Sequence, residues 1–240
     1  MNMLKKTFSL SLIAAMTVAF LIVTHGGSFE STKQDATPIF ARQPTGPVLV
    51  IDAGHGGADG GAQSESGTRE SEINLDIALR LDSLMGFFGE CAVMTRDSEM
   101  LSYSKAADTI RAKKVEDQKN RLHLINSAEN AVLISIHQNK YTTPGPFGAQ
   151  VFFARTQGSA ALAESMQSLL TDTLNRQSRR AAVKIPDGIY LMDNIACPGI
   201  LIECGFLSNP NEEALLKTDE YRLKVAAVIA AGYINARHAG

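Results

Sequence analysis

Residues 48–61 read VLVIDAGHGGADGG: four apolar residues run into an aspartate, and five glycines then surround one histidine. A run this short and this apolar suits a strand buried on both faces. The glycines end it in a loop whose backbone is free to turn sharply beside the imidazole. Glu72 to Phe88 follows with Ile73, Ile77, Leu81 and Leu84 at helical spacing, so the stretch opens a strand–loop–helix unit.

The same alternation continues along the chain. CAVMT (91–95), AVLISI (131–136), AQVFFA (149–154), IYLM (189–192) and GILIE (199–203) read as strands. Helical patterns cover Lys105–Glu129, Gly158–Arg176, Asn211–Lys217 and Asp219–Arg237. Apolar strands separated by helices predict an α/β fold: a single domain over 47–238 with a mostly parallel central sheet, flanked by helices on both faces. Sheets of this kind place their sites at the carboxyl ends of the strands, so chemistry is expected in the residues just after each apolar run. GFLSNP (205–210) reads as a loop into a helix, with Ser208 or Asn209 as the cap and Pro210 in the first helical position.

The ends of the chain have other duties. Residues 1–27 place Lys5 and Lys6 before an uncharged apolar stretch from Thr7 to Val23, the pattern of a secretory signal or an uncleaved membrane anchor. No A-x-A site closes the stretch, which favours the anchor, and the two lysines place the amino end inside. Membrane association through this segment, and export of the remainder, are expected. Residues 28–46 are polar and without periodicity, a linker. Net charge is −2 and no basic tract appears, so no nucleic-acid partner is expected. Cys91, Cys197 and Cys204 cannot all pair internally, and Cys91 and Cys204 lie in strand-like runs where a buried free thiol is expected.

Three polar residues fall where the sheet rule directs attention. His55 follows the first strand, His137 follows the third in SIHQN, and Glu203 ends the last. Two histidines and a carboxylate form a common catalytic zinc set that leaves a position open for water. On spacing alone, Glu65, Glu70 and Glu72 compete for the carboxylate ligand. A phosphate cradle fails, because the glycine loop lacks the Gly-Lys-Ser/Thr ending of a P-loop and carries Asp59 in place of the third dinucleotide glycine.

VLVIDAGHGGADGGA, RESEINL, LISIHQN and GILIECGFLSNPNE together, in that order, resemble the signature of zinc-dependent N-acetylmuramoyl-L-alanine amidases over about residues 47–236. The likeness is to the sporulation branch, including TRDSEMLSYS, the KKVEDQKNRLHLIN helix and GAQVFFA. It implies one zinc ion per chain held by His55, Glu70 and His137, with Glu203 as the catalytic glutamate. Arg121 matches a recurrent arginine to which no role is assigned. Asn139 matches the asparagine of HAN in many relatives, where this chain has HQN. Arg121, Asn139 and Asn209 are candidates for touching substrate or supporting the ligands.

The resemblance further implies peptidoglycan as substrate, cleaved between the muramic acid lactyl group and L-alanine. It implies a place in spore cortex maturation toward muramic-δ-lactam, in the space between mother cell and forespore, and a lipoprotein activator as partner. Residues 140–148 are too short for the inhibitory helix of division-type relatives, and no wall-binding repeats are seen. The competing readings are a vegetative cell-separating amidase, a zinc peptidase using Arg96 or Arg121 as a carboxylate clamp, and a non-catalytic binding protein. The last would be favoured by loss of Glu203 or a ligand, and none is lost.

Overall fold

The computed structural model of the chain describes residues 46–238. The expected signal or anchor over 1–27, and the linker over 28–46 apart from Gly46, lie outside the described residues. Among the described residues no helix is long and apolar enough to cross a membrane.

Six strands form one sheet: β1 (Val48–Ala53), β2 (Ala92–Met94), β3 (Ala131–Asn139), β4 (Gln150–Phe153), β5 (Val183–Lys184) and β6 (Gly199–Phe206). Their order is β2-β1-β3-β6-β4-β5. Every pairing is parallel except β4 with β6, which is antiparallel. The helices are α1 (Glu70–Phe87), α2 (Ile110–Ser127), α3 (Ser159–Leu174), α4 (Tyr190–Asn194), α5 (Pro210–Leu216) and α6 (Asp219–His238). The predicted α/β domain with a mostly parallel sheet is the observed one.

The sheet's two faces are covered unequally. Leu49, Ile51, Ile134, Ile136, Ile200 and Ile202 point to one side, into a core shared with α1, α3 and α6. Val50, Leu133 and Leu201 point to the other, where α2 brings Ile125 and α4 brings Met192. Successive strand residues alternate between these faces. α1 buries nine of its 18 residues, whereas α2 buries only Arg121 and Ile125. The side under α2 and α4 therefore remains partly open.

Three expectations change, and one strand was not foreseen. IYLM is not a strand: Tyr190–Asn194 is the short helix α4. The backbone N–H of Gly188 donates to Asp193 Oδ2 (2.7 Å), and Asp193 N donates to the Ile189 carbonyl (2.9 Å), closing the segment into a turn. The true second edge is β5, two exposed residues beside β4, too short for any periodic pattern. Cys91 is exposed, because the strand starts after it at the sheet's outer edge; Cys204 is buried, and all three thiols are free. The long helix starts at Ile110 rather than Lys105, where Thr109 caps it by accepting from Ala112 N (3.1 Å).

Candidate active site

The open face grows more polar toward the carboxyl ends of three neighbouring strands. On β1, Val50 gives way to Asp52; on β3, Leu133 to Ser135 and then His137; on β6, Leu201 to Glu203. His137 and Glu203 are register partners across β3 and β6, as Asp52 and Ser135 are across β1 and β3. These side chains line a cleft of about 480 Å³, walled by Lys114 and Asp117 of α2 and by Ile189 and Tyr190 at the start of α4.

The structure brings His55, Glu70 and His137 together. One ligand atom from each lies within 4.8 Å of the others. Glu70 Oε1 is 3.0 Å from His137 Nδ1 and 3.4 Å from His55 Nε2. The two imidazoles meet edge-on with centroids 5.1 Å apart. Of the three competing glutamates, Glu70 alone turns inward; Glu65 and Glu72 are exposed. Glu70 opens α1, so its backbone is fixed by the helix while its carboxylate reaches across to the strand ends.

Two glycines of the opening loop have specific work. A Cβ on Gly54 would run into the His137 imidazole. Gly61, at φ +68°, would place a Cβ 2.6 Å from Glu70 Oε2 and 2.8 Å from the His55 ring. His55 itself adopts a left-handed φ of 61°, a conformation disfavoured for a side chain of this kind.

Two buried guanidiniums hold that turn. Arg121 donates from Nη1 to Asp52 Oδ1 (2.8 Å) and the Ala53 carbonyl (2.6 Å), from Nη2 to the His55 carbonyl, and from Nε to Asp117 Oδ2 (2.8 Å). Arg96 donates to the carbonyls of Ala53 (2.8 Å), Gly54 (3.2 Å) and Ser71 (2.8 Å). Arg121 thus takes a structural place that the sequence did not disclose. Neither arginine is free to clamp a peptide carboxylate, which removes the support for the peptidase reading.

Asp52 anchors the arrangement from below. Burial alone would push its carboxyl up, but Arg121, Ser135 and Thr95 outweigh it and hold it at about 2. Burial likewise pulls His55 down, and the carboxylates of Asp59 and Glu70 overcome this, raising the imidazole to about 9. Asp59 Oδ2 accepts from His55 Nδ1 (2.9 Å) and pairs with Lys114 (2.8 Å), leaving Nε2 to face Glu70. A carboxylate behind a histidine in this way orients a metal ligand. Sequence reading missed Asp59; its signal was an acid four positions after the strand-end histidine.

Glu203 is the odd member. Burial drives its carboxyl up to about 7, against the pull of His137 and His55. Its Oε2 is buried without a hydrogen-bond partner. An orphaned carboxylate oxygen beside two imidazoles and a carboxylate fits a divalent metal at the triad, and the donor set of two nitrogens and one oxygen is the kind zinc takes in catalytic sites. Asn139 also lines the cleft. Asn209 stands apart: it caps α5, accepting from Asn211 N (3.0 Å) and Glu212 N (3.3 Å), and donates to the Pro146 carbonyl (3.2 Å).

Comparison with known proteins points the same way. The chain is 34% identical to the germination-specific N-acetylmuramoyl-L-alanine amidase of Bacillus subtilis (strain 168), over 90% of this chain and 91% of that one. It is 25% identical to the N-acetylmuramoyl-L-alanine amidase AmiA of Escherichia coli (strain K12), over 80% of this chain and 76% of the other. Its fold matches the CwlD amidase of Clostridioides difficile, solved in complex with the GerS lipoprotein, with a TM-score of 0.77 and 34% identity over 81% of this chain and all of that one. The family model for N-acetylmuramoyl-L-alanine amidase covers residues 49–235, from β1 into α6, and so takes in the cleft and everything that builds it. The chain belongs to the N-acetylmuramoyl-L-alanine amidase family and is a hydrolase of that kind.

Proposed function

We propose that this amidase releases stem peptides from muramic acid in spore cortex peptidoglycan, with one zinc ion per chain held by His55, Glu70 and His137 and with Glu203 as general base. The observation that carries the reading is the polar end of the open face, where a three-residue ligand cluster lies beside a buried, unpartnered carboxylate oxygen. Bound there, zinc would supply an acidified water and polarise the scissile carbonyl.

The protein's own groups have the remaining tasks. Glu203, with its free Oε2, takes the proton from the attacking water and passes it to the departing alanine nitrogen. Asp59 keeps the His55 ring in the tautomer that turns Nε2 inward. Arg121, Arg96 and Asp52 hold the strained turn at His55 and need not touch the substrate. Asn139, at the cleft wall, is the remaining candidate for substrate contact.

The spore assignment rests on the likeness to the germination-specific amidase of Bacillus subtilis. Removal of the peptide precedes closure of muramic-δ-lactam by a separate deacetylase. The Clostridioides difficile CwlD structure contains a lipoprotein, which supports a lipoprotein activator here also. Residues 1–27 carry the enzyme across the cytoplasmic membrane and hold it there, in the space between mother cell and forespore.

The test is digestion of purified peptidoglycan by the full-length chain in detergent with added zinc, beside Glu203→Ala, with products identified by mass spectrometry. Peptides beginning with L-alanine and peptide-free muramic acid, made by wild type alone, are expected. Shortened peptides still joined to the glycan would overturn the assignment.

A further inference from the structure

We propose that Asn74 and Gln138 are positioning residues for the metal, two buried amides that aim the Glu70 carboxylate at the two imidazoles. The inference rests on reading His55, Glu70 and His137 as the zinc ligands. Asn74 is fully buried and Gln138 is 2% exposed. Asn74 lies one helical turn after Glu70 on α1, and Gln138 directly follows His137, where a bulge interrupts the register of β3.

Asn74 touches something adjoining each ligand. Its Nδ2 donates to Glu70 Oε1 (3.4 Å) and to the carbonyl of Gly54, the residue before His55 (3.0 Å). Its Oδ1 accepts from Gln138 Nε2, beside His137 (3.1 Å). The backbone N–H of Gln138 donates to the same Glu70 Oε1 (3.1 Å). The other carboxylate oxygen, Oε2, is taken by Ala62 N (2.7 Å). Oε2 is therefore tied back to the loop. Oε1 faces the histidines while it accepts from the Asn74 side-chain amide and the Gln138 backbone N–H, and the Gln138 side chain acts on it through Asn74.

The environment makes a purely space-filling role a poor account. Asn74 stands between the buried residues Ile73 and Leu75, and Gln138 comes two residues after buried Ile136. Gln138 Oε1 is itself buried without a partner. A buried amide left half-satisfied costs stability that an apolar side chain of similar size would avoid. These amides direct their polarity at Glu70, Gly54 and each other, and Gln138 also reaches the buried Cys204 thiol. Outer partners of this kind commonly govern metal affinity by about 10–100-fold.

The experiment compares the full-length chain with Asn74→Ala and Gln138→Ala. It measures zinc affinity by competition with a chromophoric chelator, the visible spectrum after cobalt substitution, and thermal unfolding of the metal-free form. Asn74→Ala is expected to weaken zinc binding by about 10–100-fold and to shift the cobalt bands, and Gln138→Ala to weaken it by about 3–10-fold. A lowered unfolding temperature, with zinc affinity within about twofold of wild type and an unchanged cobalt spectrum in either folded variant, would show a structural role only and overturn the proposal. Wild type that takes up no zinc would overturn the ligand reading itself and this inference with it.

Discussion

The two faces of the sheet are made by the same strands in alternation, yet one is an apolar core and the other opens into a polar cleft. On the closed face, β3 contributes Ile134 and Ile136, sealed by three long helices. On the open face it contributes Leu133, Ser135 and His137, and the cover is α2 with five-residue α4. The apolar first step on the open face joins a small second core, and polarity is admitted only near the strand ends. Away from the strand ends, closed-face side chains should thus answer for stability; chemistry belongs to the strand ends, where Glu70, Asn74 and Gln138 reach the open-face cleft from the closed side.

The contrast breaks most visibly at Glu203. Glu203→Gln should lower turnover by about 10²–10⁴-fold, the worth of a positioned general base, without destabilising the metal-free fold, because the group removed is a buried charge with an unpartnered oxygen. Peptide release by mass spectrometry and urea unfolding check the two halves; a variant that fails to fold would erase the distinction. On the opposite face, Leu81 is fully buried, and Leu81→Ala should cost about 2–5 kcal/mol in urea unfolding. Zinc bound per folded chain should be unchanged, and a loss of zinc there would mean that the faces are coupled.

Asp59 sharpens the comparison within the open face. Asp59→Asn should weaken zinc binding by about 10–100-fold in chelator competition, since the partner that orients His55 would be altered. An unchanged affinity would assign the orientation of His55 wholly to Arg121 and the backbone turn.

The last contrast lies in the pH dependence of the metal-free chain. The folded carboxyl of Glu203 sits near 7 against 4.5 when free, so folding takes up a proton between those values and stability falls as pH rises through them. His55 extends the decline from 6.5 to about 9. Asp52 acts oppositely: its stabilisation is lost as pH falls from 3.8 toward about 2. Thermal unfolding against pH should therefore decline from mild acid to about pH 9. Glu203→Gln should remove the acid half of the slope and Asp59→Asn reduce the alkaline half. Stability that rises over this range would contradict both assignments.

Much of this is legible in the sequence alone. VLVID, LISIH and GILIE each end in the polar residue that the open face presents, and strand-end placement made His55, His137 and Glu203 stand out. The Asn209–Pro210 cap could be read as well, because its hydrogen bonds close within a few residues. The misread elements lack such local closure. IYLM has strand-like composition, and its helical turn is set by Gly188 and Asp193 together with pairing of Asp193 to Arg155. β5 is a strand only because β4 lies beside it. Cys91 looked buried because edge and centre strands have similar composition.

By itself the sequence determined the alternation of strands and helices, the loop rich in glycine, and which residues stand at the strand ends. These are short-range matters of periodicity and backbone freedom. Spacing left Glu65, Glu70 and Glu72 level and the family resemblance named Glu70, but only the tertiary structure gives the reason, because that choice depends on which carboxylate meets β3 across the sheet. It also gave Arg121 its place on the strained turn and set Asn74 among the residues that adjoin His55, Glu70 and His137. Each of these depends on distances between segments far apart in the chain, and spacing along a chain carries no record of such distances until it folds.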